Sequence, residues 1–541
     1  MNKKNVIFFW IRRISSKHRI NLIFISLLSA ATAALSVSFA VACKSVVDAA
    51  VAKDKEEFFY ACIFAVIVVV SLLLSSSLSR LLKGVTQADL ERNLRQDFLS
   101  KCLHKKYDKL SAYHSAELIN RMSSDVSTVT DNVTTLCPDF FYYLTQLLYA
   151  GVLLLIYMKK FMLLVVPIGV VIFFTAIYLR RILKKNYSEV RKTDGEVKSF
   201  SQENFSSISV IKAFGAHDVM QDRALALMNN HRKAKIKQTL LSCFVNVCFA
   251  MIMWGSYVAA FAYCGLGILN GSITYGTLVA VQQLINKVQT PFTGLSGMIS
   301  SVAMLEASTE RILEIEALTD DTVADKSSQK ADFGKLVIND LSFAYESGKN
   351  VLENFSMTVQ KGQFTCIVGQ SGVGKSTILK LILGLYDSDS GKITVYDSYG
   401  KEINTKSGIF AYVPQGNYLF TGTIRENIAF FDDNYKEDDL INASKLACAH
   451  DFIKDLPNGY DTLIGERGVG LSEGQVQRIA VARAILSGNP VLLLDESTSA
   501  LDEKIEAQML KNLRSIDGIT VITITHRRAA LDVCDNTVRL E

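Results

Sequence analysis

The stretch FTCIVGQSGVGKSTILKLILGL, Phe364–Leu385, decides the C-terminal part of the fold. FTCIV is a short apolar run rich in strand formers, a glycine loop follows it, and TILKLILGL carries helical apolar spacing, so the stretch reads as buried strand, loop and helix. The loop fits the pattern G-x-x-x-x-G-K-[ST] across Gly369, Gln370, Ser371, Gly372, Val373, Gly374, Lys375, Ser376 and Thr377. Glycines let backbone N–H groups wrap phosphate oxygens. A lysine at Lys375 reaches the β and γ phosphates, and Ser376 offers a hydroxyl to Mg²⁺.

Farther on, PVLLLDESTSALDE holds a four-residue apolar run that ends in two acids, Asp495 and Glu496. That pattern reads as a central parallel strand whose carboxyl end faces a ligand. Asp495 is placed to hold Mg²⁺ through water, and Glu496 to polarise an attacking water. VITITHRR reads as another buried strand on the same sheet, ending at His526, which could touch a γ-phosphate or orient Glu496. A second cradle, GVGLSEGQVQR, Gly468–Arg478, reads as a glycine loop entering a helix behind Ser472. Two phosphate cradles occur in one chain, with no sign of a second nucleotide site. KLVIND, LSFAYE and FSMTVQ, ahead of the first cradle, read as short strands.

The apolar residues are concentrated before about residue 304, in a chain of 541 residues that is 49% hydrophobic with a formal net charge of +5. Six stretches are long and apolar enough for spans of about 20 residues. They lie near 20–43, 58–82, 138–157, 161–179, 240–268 and from 274, the last being the most polar. The links between the second and third and between the fourth and fifth are long, basic and amphipathic, and the N-terminus is basic too. The positive-inside bias puts all three in the cytoplasm, so the soluble domain lies there as well. No cleavable signal peptide is evident. Gln282, Gln283, Asn286, Lys287 and Gln289 cluster on the sixth span, with Gln146 and Tyr149 on the third and Asn246 on the fifth. They suit either a wet substrate pathway, with Lys287 favouring an anionic group, or helix–helix hydrogen bonding and a snorkelling lysine. The ten cysteines show no regular spacing and read as isolated thiols.

With these motifs in this order, the chain resembles a half-size ATP-binding cassette (ABC) exporter. The resemblance covers nearly its whole length. It implies an α-helical membrane domain of type IV exporter character (residues 1–315, with a coupling helix in each long cytoplasmic loop), a linker (316–334) and an α/β P-loop NTPase domain with a helical subdomain (335–541). GQSGVGKST corresponds to the Walker A loop, LLLDE to Walker B, LSEGQ to the family signature, and SALD, Ser499–Asp502, to the D-loop. Tyr345 falls where the family stacks an aromatic on adenine, and Gln415 where a glutamine senses Mg²⁺. Glu466 falls in the X-loop region, and His526 at the switch histidine. The segments 113–126 and 203–216 resemble the coupling helices.

The resemblance implies ATP and Mg²⁺ as ligands, with Ser376, Gln415 and Asp495 around the metal and Glu496, His526 and Gln415 in catalysis. It also answers why there are two cradles. In the family, Ser472, Gly474 and Gln475 of one chain close on the nucleotide held by the Walker A loop of another. The expected partner is a second copy, the preferred reading, or a related half-transporter. Glu473 stands where a glycine is usual, so its carboxylate points to solvent or else lowers the affinity of the signature for ATP. The expected activity is ATP-driven export across the cytoplasmic membrane. A lipid or glycolipid flippase and an ATP-gated regulator or channel are the alternatives. No nucleic-acid partner is expected, since soluble ABC ATPases acting on DNA or ribosomes need no apolar spans.

Overall fold

A computed structural model describes residues 3–159, 186–321, 332–345, 350–405, 408–416, 419–430, 432, 434–465, 468, 470–498 and 500–540. It forms two compact units, Met1–Ser100 with Ser115–Glu316, and Lys101–His114 with Ala317–Glu541. The first unit is all helix. Its elements are α1 (Lys3–Ile14), α2 (Arg19–Ala52) and most of α3 (Lys55–His104). After α4 (Tyr107–Leu110), which belongs to the second unit, come α5 (Ser115–Asn120), a π-helical turn (Arg121–Asp125) and α6 (Val126–Tyr157). A helix α7 over 186–206 follows, then α8 (Ile208–Ala213), α9 (His217–Leu269) and α10 (Tyr275–Glu316).

Four helical stretches among the described residues, Asn5–Ala52, Lys55–His104, Ser115–Tyr157 and His217–Leu269, are long and apolar enough to cross a membrane. Large apolar side chains along α3 stand open, including Phe59, Val66, Leu73 and Leu74. Water would not tolerate so continuous an apolar face, whereas lipid does. The expected span at 161–179 lies outside the described residues. The stretch expected as the sixth span lies in one helix, α10, which runs through Pro291 and is not among those four. α2, α6, α9 and α10 pack through a core that includes Val37, Ala40, Ala150, Leu154, Ala260 and Leu284. At one end of this bundle a buried carboxylate, Asp125, accepts from Ser308 Oγ at 2.9 Å and Arg311 Nε at 2.7 Å. The π turn brings Arg121 to Glu117 at 2.6 Å and Glu314 at 3.0 Å.

The segment 113–126, which resembles the first coupling helix, forms a turn, α5 and the π turn that lead into α6. The chain that packs with the C-terminal unit lies ahead of it. Lys105 Nζ donates to Leu318 O at 2.6 Å and Asp320 Oδ1 at 2.7 Å, Lys106 Nζ pairs with Asp387 at 2.6 Å, and the Tyr107 ring meets Tyr386 edge-on at 5.6 Å. Two lysines and a tyrosine make this contact.

The second unit contains two main sheets. The antiparallel one has the order β2-β1-β4-β5, built from β1 (Lys335–Phe343), β2 (Leu352–Gln360), β4 (Ser390–Tyr396) and β5 (Glu402–Ile403). KLVIND and LSFAYE, expected as two strands, are the single bulged strand β1. Its register slips beside Asp340, which adopts φ +47°. The parallel sheet has the order β11-β3-β10-β9-β6, from β3 (Phe364–Gly369), β6 (Phe410–Val413), β9 (Val491–Asp495), β10 (Thr520–Ile524) and β11 (Asn536–Leu540). A small pair joins β7 (Gly422–Thr423) to β8 (Leu463–Ile464). The helices are α11 (Lys375–Ile382), α12 (Ile424–Ala429), α13 (Glu437–Leu446), α14 (His450–Lys454), α15 (Glu473–Leu486), α16 (Glu503–Arg514) and α17 (Arg528–Leu531). Every residue of β9 and β10 is buried, as continuous apolar runs require.

The cysteines are not all isolated. Cys366 of β3 and Cys534, which lies just before β11, are joined as a disulfide with Cα atoms 6.1 Å apart. They are separated by 168 positions in sequence, and only the pairing of β3 with β11 brings them together.

Glu506 is fully buried. It accepts from Thr498 Oγ1 at 2.6 Å and from Arg527 Nη1 at 3.0 Å, tying the segment after β9 to the segment after β10. Glu506→Ala strands both donors and should lower stability by about 3 kcal/mol. Urea unfolding of the purified protein measures this, and an unchanged midpoint would contradict the assigned role.

Candidate functional site

Register sets the site. Ile524 of β10 stands opposite both Asp495 of β9 and Ile367 of β3. The three parallel strands therefore release the phosphate loop, Glu496 and His526 along one edge, where open α/β sheets hold ligands. β6, hydrogen-bonded to β9, brings in Gln415 just past Val413.

The loop between β3 and α11 turns at Gly374, whose φ of +104° and close approach to Val351 (2.8 Å from an added Cβ) leave no room for a side chain. Gln370, Ser371 and Gly372 form its exposed rim, with Val373 packed beneath. Lys375 is buried, and its Nζ donates to the carbonyls of Gly369 at 2.8 Å and Gln370 at 2.9 Å, so the ammonium crosses the mouth of the loop. Ser376 Oγ donates to Asp495 Oδ1 at 2.8 Å, and the Tyr412 hydroxyl donates to Asp495 Oδ2 at 3.2 Å. Burial holds the Asp495 carboxyl above the usual aspartate range, and the nearby Glu496 charge adds to the rise. The Ser376 and Tyr412 hydrogen bonds oppose it.

Gln415 Nε2 donates to Glu496 Oε2 at 2.7 Å. Glu496 itself adopts φ +48°, a strained setting for a non-glycine residue, and its N–H donates to Ile524 O at 3.2 Å. His526 is exposed and has no hydrogen-bond partner among the described residues. Tyr345 is open on one face, and its hydroxyl lies 3.1 Å from Thr377 Oγ1. Phe343 and Tyr386 brace its ring edge-on, with centroids at 5.0 and 5.2 Å. No group of three or more His, Cys, Asp or Glu side chains placed for a metal ion occurs among the described residues. A hydroxyl beside a single carboxylate is still a donor set that suits Mg²⁺ bound mainly by phosphates.

The second cradle is built separately. Ser472 caps α15: its Oγ accepts from Gln475 N at 3.3 Å while Gln475 Oε1 accepts from Ser472 N at 2.9 Å. Glu473 is exposed in the first turn. An added Cβ on Gly474 would stand 2.9 Å from Ala500 O, and Gln477 Oε1 accepts from Ala500 N at 3.2 Å. Among the described residues, no hydrogen bond joins Ser472–Gln475 to the loop of Gly369–Thr377 within the chain. Glu466 and Ser499 lie outside the described residues.

Sequence reasoning missed Tyr412 and Gln477. Tyr412 sits three residues before Gln415 in YVPQ, but only the β6–β9 pairing turns its hydroxyl onto Asp495. In the helical unit, the polar span residues divide. Gln289 Nε2 donates to Ser256 Oγ at 2.9 Å and the Tyr149 hydroxyl lies 3.3 Å from Ser38 Oγ, which are helix–helix bonds. Gln146 is buried, Gln282, Asn286 and Asn246 are exposed, and Gln283 and Lys287 are half-buried.

Residues 22–292 match the family described as ABC transporter transmembrane region, and residues 352–499 match the one described as ABC transporter. The chain belongs to the ABC transporter family. It is 31% identical over 472 residues to an uncharacterized ABC transporter ATP-binding protein, YfiB, of Bacillus subtilis, covering 83% of this chain and 78% of that one. It is 33% identical over 346 residues to an ATP-dependent lipid A-core flippase of Vibrio parahaemolyticus, covering 63% of this chain and 60% of that one. The structure of a bacterial Atm1-family ABC exporter with ATP bound superposes with a TM-score of 0.79 at 24% identity, covering 97% of this chain and 94% of that one. This ABC transporter therefore has the exporter fold: a multi-pass helical membrane unit and an α/β ATP-binding unit.

A carboxyl whose pKa folding has raised favours the folded state while protonated, and that contribution is lost as pH rises through the folded value. Above that value the buried Asp495 charge is a burden on the apo protein. Asp495→Asn should raise the thermal unfolding midpoint at pH 7 without nucleotide. The gain should vanish as pH falls through the raised value to the ordinary aspartate range near ~3.9. A gain of equal size at all pH values would dissociate the effect from ionisation.

Proposed function

We propose that this ABC transporter hydrolyses ATP at sites shared between two copies and uses the energy to export a substrate across the cytoplasmic membrane, with the ATP-binding unit in the cytoplasm. The observation that carries the reading is the pairing of Gln415 with Glu496 beside the Ser376–Asp495 contact at one sheet edge. Lys375 would leave the Gly369 and Gln370 carbonyls for the β and γ phosphates of ATP. Ser376, Asp495 and Gln415 would hold Mg²⁺, which neutralises phosphate charge when bound. Tyr345 would stack on adenine. Glu496 would take a proton from the attacking water, with Gln415 and His526 orienting the carboxylate and the γ-phosphate.

Two features support a partner copy. Among the described residues, no hydrogen bond joins Ser472, Gly474 or Gln475 to the phosphate loop of their own chain, which leaves the cradle for another. The segment 203–216 also exposes Phe205, Ile208, Val210 and Phe214, an apolar set suited to docking on another chain. The homodimer is preferred because the chain keeps both Glu496 and His526. ATP then drives the cycle only if it binds the closed dimer better than the open one. The flippase relative favours a second reading, in which the same machine moves a lipid. Lys287 and its exposed neighbours Asn286 and Gln282 would face the cargo in either case.

Glu496→Gln should keep ATP binding while turnover falls at least about 100-fold, measured by phosphate release and by nucleotide retention on the same sample. Near-normal release rejects Glu496 as the base. Coexpression of Lys375→Ala chains with Ser472→Arg chains tests sharing. In the mixed dimer both lesions fall in one site and the other is intact, so hydrolysis should return to a fraction of wild type. No recovery, with mixed dimers isolated through two affinity tags, counts against shared sites.

A further inference from the structure

α2, α3 and α6 enclose a cavity of about 210 Å³ whose lining includes Ser29, Ser79, Arg80, Lys83, Asp139 and Tyr142. Ser79 and Arg80 each lie one turn from Lys83 on α3, at four- and three-residue spacing. Ser29 Oγ lies 3.4 Å from Ser79 Oγ, joining the two walls. Neither Arg80 nor Lys83 makes a hydrogen bond or ion pair among the described residues. The lining sets two cations, Arg80 and Lys83, against one carboxylate, Asp139, and no ion pair joins them among the described residues. A charged side chain within an apolar span is costly unless something meets it.

The surroundings narrow what that is. Val66, Val70 and Leu73 stand open on α3 and run up to Arg80 at spacings of four, three and seven residues, so an apolar stripe leads along the helix to the cations. A soluble anion has no use for such a stripe, whereas an acyl chain does. Arg80 and Lys83 also stand at the end of the apolar run of α3, at headgroup depth, where basic pockets between spans meet anionic lipid. An arginine fork with a neighbouring ammonium and hydroxyl donors matches a phosphodiester.

We propose that this cleft is a binding site for the phosphodiester headgroup of an anionic lipid. Arg80 and Lys83 hold the phosphate oxygens, Ser29, Ser79 and the Tyr142 hydroxyl serve the headgroup's polar atoms, and the acyl chains lie along Val66, Val70 and Leu73. On the proposed sidedness this places the lipid in the cytoplasmic leaflet. The site needs α2, α3 and α6 to cross a bilayer and does not depend on ATP turnover.

The test is native mass spectrometry of the full-length protein in neutral detergent, without nucleotide, titrated with phosphatidylglycerol or phosphatidylcholine. Wild type should retain phosphatidylglycerol about tenfold more strongly than phosphatidylcholine. Arg80→Ala with Lys83→Ala should lose that preference, while Arg80→Lys with Lys83→Arg keeps most of it. Ser79→Leu, which fills the cleft and removes no charge, should weaken retention as well and covers the case in which the double variant does not fold. Millimolar inorganic phosphate should not displace the lipid. Equal retention by the alanine and wild-type proteins, or full displacement by inorganic phosphate, overturns the proposal. ATPase activity is not part of the readout, so a failure here is separable from a failure of the transport reading.

Discussion

The register between β3, β10 and β9 is the constraint on which the nucleotide unit depends. Because Ile524 faces Asp495 on one side and Ile367 on the other, three separate loops leave the sheet at one level. A one-residue slip in any of these strands would turn its side chains to the opposite face and separate Ser376 from Asp495. The apolar runs resist such a slip. β9 and β10 are buried along their whole length, and the two core clusters lie on opposite faces of the sheet with residues of both strands in each.

That burial has a cost which the site turns to use. Asp495 is 2% exposed and held above its usual pKa range, a setting that a bound cation would reverse. Glu496 is kept at φ +48° by the strand bond to Ile524, and this turns its carboxylate toward Gln415. Strain in a non-glycine residue costs of order 1 kcal/mol and persists only where the surroundings over-determine it. Here the rigid sheet supplies that determination, and the charged groups stand ready without a large rearrangement.

The helical unit solves a different problem. Its spans bury little of their apolar surface against protein and present the rest to lipid, so polar side chains mark the places where something other than lipid is met. Some are met by other helices, as with Gln289 and Ser256. Asp125 with Arg311 and Ser308 anchors the ends of α6 and α10 through a buried carboxylate. Among the described residues Arg80 and Lys83 are met by neither arrangement, and this sets their cleft apart from the structural pairs.

Local chemistry was readable from the amino acids alone. The phosphate loop, the strand ending in Asp495 and Glu496, the capped helix behind Ser472 and the long apolar runs each rest on short-range rules of spacing, steric freedom and hydropathy, and a single sequence displays these. The contacts that assemble them were not readable. Tyr412 on Asp495, Gln477 on the Ala500 backbone, Cys366 with Cys534, and Lys105 and Lys106 in the C-terminal unit all join residues distant in the chain. The fusion of KLVIND and LSFAYE into one bulged strand depends on partners on both sides. Such pairings are chosen by strand register and by which faces can be buried together, and these exist only once the whole chain has folded.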